Sequence, residues 1–327
     1  MTVAHSSTAT RFPLGLIAPP RLTPLRTPRR PDFLGLGGMR CGSTTLWEML
    51  KAQPDVFLSE QKELHYFDNK DGLWDRGVSA YLDYFAEADP GQVVGEITPE
   101  YLSVDFCTSR MAELVPDARL LVVLRDPVAR AWSHYRLSVS FGLETLSFDK
   151  AVKSETRRLD HAGRGPEGID ANVAFSYLER GRYVHHLQRL ERAFSREQLL
   201  VLMLPEFRSD RAGVMVRVRR HLGLPDQPAG GELQRPPEAA NAQGAMCRSL
   251  RLNRLLHLVH PFADARDSLP YRATRRALGV LHRFNTSPIE PEPDPRTLAW
   301  LRDYYGPLDA QLEQWLGQPV PWRRRRA

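Results

Sequence analysis

Cysteine is scarce in this chain, long apolar runs are absent, and the lysine that usually completes a phosphate loop is missing. Cys41, Cys107 and Cys247 are the only cysteines among 327 residues. An odd number at such wide spacing makes neither a disulfide framework nor a zinc site, so reduced thiols and a cytoplasmic location are expected. No run of about 18 apolar residues occurs, which argues against a membrane-spanning helix. Zinc-finger and RNA-recognition signatures are lacking, and nucleic acid is not expected as a partner. The 45 Lys and Arg exceed the 39 Asp and Glu by six, a mild excess that fits an anionic small ligand. The first 30 residues hold no Asp or Glu. Pro13, Pro19, Pro20, Pro24 and Pro28 interrupt any amphipathic targeting helix there, so residues 1–30 read as a disordered basic leader. Residues 323–327, with the run Arg323 to Arg326, read as a solvated basic tail.

What is present begins with residues 32–50, DFLGLGGMRCGSTTLWEML. Phe33, Leu34 and Leu36 read as a short buried strand, and Thr45 to Leu50 as the first turns of a helix. Gly37, Gly38 and Gly42 let the backbone between them turn sharply and approach a ligand closely. Amides at a helix start have no partner within the helix, and the macrodipole adds positive charge, so the loop is a cradle for phosphate or sulfate. A glycine-rich turn without a ligand is the plain alternative. Gly37 and Gly42 have the spacing of an ATP-binding loop, but Ser43 and Thr44 follow where that loop needs lysine, and the cation present is Arg40. This argues against an ordinary ATPase or kinase.

Farther along, Val93 to Ile97, Leu120 to Leu124 and Leu199 to Leu204 are apolar runs suited to parallel strands, the latter two buried on both faces. Pro127 to Ser140, Tyr177 to Phe194 and Arg296 to Leu316 read as helices. The alternation predicts one α/β domain over residues 31–322, P-loop-like, with three layers and a central parallel sheet flanked by helices. Residues 225–285 are its variable part: a Pro/Gly/Ala-rich linker over 225–245, then a basic, amphipathic and helical segment. His257, His260 and His282 do not have metal-ligand spacing. At the end of the Leu120–Leu124 strand, Asp126 caps the next helix and Pro127 fills its first turn. Arg125 then lies at the carboxyl edge of the sheet, and Ser133, two helical turns on, faces the same crevice. A guanidinium fork with a hydroxyl suits a phosphate monoester.

Arg40-Cys41-Gly42-Ser43-Thr44 resembles the 5′-phosphosulfate loop of the sulfotransferases, and Arg125, Pro127, Arg130 and Ser133 resemble their 3′-phosphate motif. Gln61-Lys62-Glu63-Leu64-His65-Tyr66-Phe67 is similar to a segment of the heparan-sulfate-type and related bacterial members. The three motifs stand in the family's order, and the likeness covers about residues 31–322. The resemblance implies 3′-phosphoadenosine 5′-phosphosulfate (PAPS) as sulfuryl donor. Donor-binding residues would be Arg40, Cys41, Gly42, Ser43, Thr44, Thr45, Leu46, Arg125 and Ser133, with no metal. It implies a carbohydrate or lipid-like acceptor bearing a hydroxyl or, less favoured, an amine, and Glu63 as general base. Lys62 and His65 would orient the acceptor or tune Glu63, and Arg40 would stabilise charge on the leaving phosphate. Gly95-Glu96-Ile97-Thr98-Pro99-Glu100-Tyr101 matches a further family stretch in which lysine usually stands at position 97, so a cationic contact there is in doubt. Glu96 becomes a second acid to consider, near the acceptor or in a structural ion pair. The alternatives are a P-loop small-molecule kinase and a nucleotide-binding module without catalysis.

Overall fold

Five short apolar segments lie side by side at the centre of the computed structural model: β1 (Phe33–Gly37), β2 (Val56–Leu58), β3 (Val93–Ile97), β4 (Arg119–Leu124) and β5 (Leu199–Met203). The structure describes residues 29–141, 143–163, 165–225 and 292–323, with the isolated positions 246, 247, 249, 252, 286 and 287. The expected leader up to residue 28, nearly all of the 225–285 region with its histidines, and the tail beyond 323 lie outside the described residues.

All five strands are parallel, in the order β2-β3-β1-β4-β5. β1 is central, with Phe33 opposite Gly95 on one side and Gly37 opposite Val123 on the other. Every residue of β1 is buried, as are Leu120 to Leu124 of β4. Burial on both faces is why these strands read as continuous apolar runs rather than alternating ones. After β1 the chain builds one side of the sheet with β2 and β3, then crosses to the other with β4 and β5. The switch of direction beside β1 opens a crevice at the carboxyl ends of β1 and β4, where ligands bind in such sheets.

Helices cover the sheet: α1 (Ser43–Lys51), α2 (Val78–Leu82), α3 (Asp105–Leu114), α4 (Pro127–Ser140), α5 (Phe148–Ala162), α6 (Ile169–Phe175), α7 (Tyr183–Glu191), α8 (Glu206–Ser209), α9 (Arg211–His221) and α10 (Pro295–Leu316). Met246–Cys247 and Thr286–Ser287 form a separate two-residue antiparallel pair. The main core gathers the sheet with α1, α3, α7 and α9. A second cluster joins Val128 and Tyr135 of α4, Phe148 of α5, Tyr177, and Leu301 and Tyr305 of α10. α4 begins where its sequence directs: the Asp126 carboxylate accepts the Val128 amide at 3.0 Å and Pro127 fills the first turn.

The helix expected over 177–194 is shorter. Glu179–Gly181 forms a tight 3₁₀ turn and α7 starts only at Tyr183. The cause is packing: a Cβ on Gly181 would lie 2.4 Å from the Tyr305 hydroxyl oxygen, and that hydroxyl donates to the Leu178 carbonyl at 2.9 Å. Cys41 and Cys107 are buried free thiols. No helix among the described residues is long and apolar enough to cross a membrane.

Beyond α10 the chain returns to the sheet. Trp322, 4% exposed, meets the Tyr183 ring edge-on at 6.4 Å between centroids. Trp322→Ala should therefore lower unfolding free energy by about 3–5 kcal/mol, the range for truncating a buried aromatic. Urea unfolding checks this. A loss below about 1 kcal/mol would mean that the terminal segment does not support the core.

Candidate active site

The turn from β1 into α1 is made possible by two residues in the left-handed region, Arg40 (φ 73°) and Gly42 (φ 103°). Gly42 stands at the helix N-cap without a side-chain cap. The Cys41 amide donates to the Gly38 carbonyl at 3.0 Å, and that of Leu46 donates to the Gly42 carbonyl at 3.1 Å. Between them the amides of Gly42, Ser43, Thr44 and Thr45 precede the first intrahelical bond, the arrangement that receives an anion.

Two expected members of this set change role. The Leu46 amide is engaged in the helix and its side chain is buried, so Leu46 supports the cradle without presenting a donor. Cys41 likewise spends its amide within the turn, and its buried thiol lies 3.5 Å from the Tyr183 hydroxyl. Burial pushes that thiol up, despite the opposing Tyr183 hydrogen bond and nearby arginines. Cys41 fills the turn.

Arg40 joins the two phosphate motifs. Its Nε donates to Ser133 Oγ at 3.0 Å, while its carbonyl accepts from Arg125 Nη1 at 3.1 Å. Tyr183 in turn donates to the Arg125 carbonyl at 2.9 Å. Burial, and then the charges of Arg125 and Arg136, push the Arg40 guanidinium down. Arg136, one turn beyond Ser133 on α4, is thus a third cation of this crevice that the sequence reading missed; its spacing from Ser133 was the available signal. Like charges held together are relieved by a multiply charged anion. Arg130 has a different task. It is fully buried beneath the loop, with Nη2 donating to the Tyr177 carbonyl, and a Cβ on Gly38 would come within 3.0 Å of its Cδ.

The second half of the site is the segment after β2. Among the described residues four non-glycines have positive φ: Arg40, Glu63 (61°), His65 (53°) and Asn69 (57°). All four lie in the two segments that carry the motifs, and such conformations persist only where surrounding bonds enforce them. Those bonds are visible. The Tyr66 amide donates to the Tyr101 hydroxyl at 2.8 Å, and Asn69 Oδ1 accepts the Trp74 amide at 3.0 Å. His65 Nδ1 meets Asp68 Oδ2 at 2.8 Å, both side chains being buried. Burial pulls the His65 imidazolium down, but the Asp68 hydrogen bond and the charges of Asp68 and Glu100 outweigh it, and its pKa lies above the ordinary value.

Lys62 links the halves. Its Nζ forms an ion pair with Glu63 and reaches Ser43 Oγ of the anion loop at 3.5 Å. Glu63, His65 and Glu100 bring an oxygen or nitrogen each within 4.8 Å of one another. These residue types can hold a cation, although Lys62 already pairs with Glu63 and Arg180 with Glu100. Glu100 was not singled out in the sequence; its place in the stretch with Glu96 was the only hint.

Glu96 is not a member of this group. It is 1% exposed and accepts hydrogen bonds from Tyr81 (2.8 Å), Thr98 (2.8 Å) and Tyr101 (3.1 Å). It makes no ion pair among the described residues and anchors a hydroxyl network under the site. Ile97, where the family stretch usually has lysine, is buried, and a Cβ on Gly35 would come within 2.5 Å of its side chain.

A family model described as "Sulfotransferase domain" matches residues 30–236. Human heparan sulfate glucosamine 3-O-sulfotransferase 3B1 is 31% identical over 195 residues, 59% of this chain and 46% of its own length. Mouse heparan sulfate glucosamine 3-O-sulfotransferase 6 is 32% identical over 196 residues, 60% of this chain and 53% of its own. The chain therefore spans about half the length of these curated relatives. The crystal structure of a sulfotransferase from Alicyclobacillus acidocaldarius superposes with a TM-score of 0.63 at 23% identity, covering 90% of this chain and 99% of that one, a likeness of fold.

Glu96 makes the network pH-sensitive. Burial raises its pKa to about 7, against the lowering effect of its hydroxyl donors. A carboxyl with a folded-state value above its unfolded one stabilises most at low pH, and that contribution is lost as pH rises to about 7. Wild-type stability should therefore fall relative to Glu96→Gln between pH 4.5 and 8, by up to about 3 kcal/mol at the conversion of about 1.4 kcal/mol per unit. Parallel urea titrations across this range measure it. A pH-independent difference would show that Glu96 is ionised throughout.

Proposed function

This chain belongs to the sulfotransferase family, and on that premise we propose that it transfers the sulfuryl group of PAPS to a hydroxyl of a carbohydrate acceptor. The observation that carries the reading is the Lys62 bridge, which puts the Glu63 carboxylate beside the anion loop. Donor cradle and proton acceptor are then neighbours, as a direct transfer requires. An ATP-dependent kinase is not supported: Ser43 occupies the lysine position, and the loop cation, Arg40, is directed to Ser133. The names of the heparan sulfate relatives favour a carbohydrate acceptor. Buried reduced thiols fit the cytoplasm as its location.

The amides of Gly42 to Thr45 and Arg40 hold the 5′-phosphosulfate, while Arg125, Ser133 and Arg136 receive the 3′-phosphate. The acceptor oxygen attacks sulfur in line, the bond from sulfur to the bridging phosphate oxygen breaks, and 3′-phosphoadenosine 5′-phosphate leaves. Glu63 takes the acceptor's hydroxyl proton. Arg40 is too basic to donate a proton, so its contribution is charge stabilisation of the leaving phosphate. Most of the acceleration comes from positioning and from these preorganised charges. No step calls on a metal.

Transfer of labelled sulfate from PAPS to a panel of glucosamine-containing and other saccharides tests the activity. With an acceptor in hand, Glu63→Gln should lower the single-turnover rate by about 10²–10⁴-fold, the usual contribution of a positioned base, with donor binding nearly unchanged. Glu96→Gln, buried away from the acceptor, should retain most of the rate. The reverse pattern would move the base to Glu96.

A further inference from the structure

One buried carboxylate oxygen in this site makes no hydrogen bond among the described residues. Glu100 lies in the turn Pro99–Leu102 after β3 and is 3% exposed. Its Oε1 accepts from Arg180 Nη1 at 3.2 Å. Arg180 is fully buried and fixed by Ser176 Oγ at 2.9 Å and Asn172 Oδ1 at 3.2 Å. Oε2 of Glu100 is buried and has no hydrogen-bond partner among the described residues. Native proteins rarely tolerate such an atom without a use for it.

The neighbours of Glu100 show what the use is. Its carboxylate lies within 4.8 Å of both Glu63 and His65. Asp68 already engages His65 Nδ1. A neutral imidazole has one N–H, and the Asp68 bond consumes it; Glu100, not hydrogen-bonded to the ring, acts on it through its charge, which favours the imidazolium. The charges agree. Glu63, Asp68 and Glu100 place three carboxylates about the ring, against the cations Lys62, Lys70 and Arg180, and the charges of Asp68 and Glu100 favour its protonated form.

We propose that Glu100 is a positioning residue for the transfer reaction: clamped by Arg180, it holds His65 as an imidazolium between itself and Asp68. His65 then offers the acceptor side of the site a fixed positive charge, and proton removal falls to Glu63 alone. This assignment rests on the sulfotransferase reading only for its role in catalysis; the state of the ring is a property of the protein by itself.

The groups that act on the ring come from several elements. Glu63, Asp68 and Lys70 lie on its own segment, and Glu100 on the turn after β3. Arg180 stands behind Glu100 in the turn before α7. Cys107 of α3 lies near Asp68 and Glu100, and burial pushes its thiol well up, so it is uncharged. Burial opposes the charged ring, and Asp68 and Glu100 are the charges that overcome it, with Lys70 acting against them. Removing the Glu100 charge leaves Asp68 and the more distant acids against burial, and the ring gives up its proton more readily.

The test is a histidine-selective ¹⁵N NMR titration of the full chain, with circular dichroism as the check on folding. In the wild type, His65 should titrate above the ordinary histidine value of about 6.5. In Glu100→Gln the midpoint should fall by about one unit, a tenfold loss of proton affinity, and Glu100→Asp should recover part of it. The alkaline limb of the rate profile should move with the NMR midpoint, while binding of 3′-phosphoadenosine 5′-phosphate stays unchanged. A wild-type ring that titrates at or below 6.5 overturns the proposal without any variant, as does an unchanged midpoint in folded Glu100→Gln. So does binding of Mn²⁺ or Zn²⁺ by the wild type that Glu100→Gln abolishes, because the ring would then be a neutral ligand. The titration needs no acceptor: its failure leaves the proposed activity standing, and a lack of sulfuryl transfer with the expected titration removes the activity alone.

Discussion

The hydrogen bond from Arg125 to the Arg40 carbonyl is the constraint on which the rest of the site depends. Arg40 must sit at φ 73° for the chain to turn from β1 into α1 with its amides directed into the crevice. A non-glycine residue held there is strained by about 1–3 kcal/mol, and something must hold it. Arg125 holds the carbonyl and Ser133 the side chain. Tyr183 holds the Arg125 carbonyl and is backed by Trp322 from the far end of the chain. The phosphate motifs are therefore one mechanical unit, braced by α7 and the C-terminal segment.

The same logic governs the other half. Glu63 and His65 are both in the left-handed region, so the backbone there is set by its surroundings rather than by local preference. Tyr101 contributes in two directions, accepting the Tyr66 amide and donating to Glu96. The buried Glu96 network is thus the floor on which the strained segment rests. Lys62 ties that segment to Ser43, so that donor loop and acid–base group are joined through one side chain.

Much of this was legible in the sequence, for physical reasons. β1, β3, β4 and β5 announce themselves as apolar runs, though β5, expected to be buried on both faces, is an edge strand with Leu200 and Val201 half-buried, and α4 carries its own cap and proline. The anion loop is readable because glycine and helix start are local features. β2 was not found, because three residues make too short a run to have a period. α7 begins at Tyr183, six residues later than the sequence pattern predicts, where Tyr305 packs on Gly181, a contact 124 residues away. Glu96 reads in the sequence as an acid near the acceptor or in a structural ion pair, and only the fold shows Tyr81, Thr98 and Tyr101 closing around it. Glu100 and Arg180 escaped notice for the same reason: an ion pair across 80 residues has no local signature.

The central claim is that the crevice beside β1 is a receptor for an adenosine nucleotide with a separate 3′-phosphate. Isothermal titration of 3′-phosphoadenosine 5′-phosphate, ATP and adenosine 5′-phosphosulfate, into wild type and Arg136→Ala, tests it most directly, because Arg125 also braces the anion loop. The bisphosphate should bind the wild type where ATP does not, and Arg136→Ala should weaken it by about 1.5–3 kcal/mol, the range for hydrogen bonds to charged groups. Adenosine 5′-phosphosulfate, which lacks the 3′-phosphate, should lose much less. Equal losses for the two nucleotides, or binding of ATP as tight as that of the bisphosphate, would contradict the account.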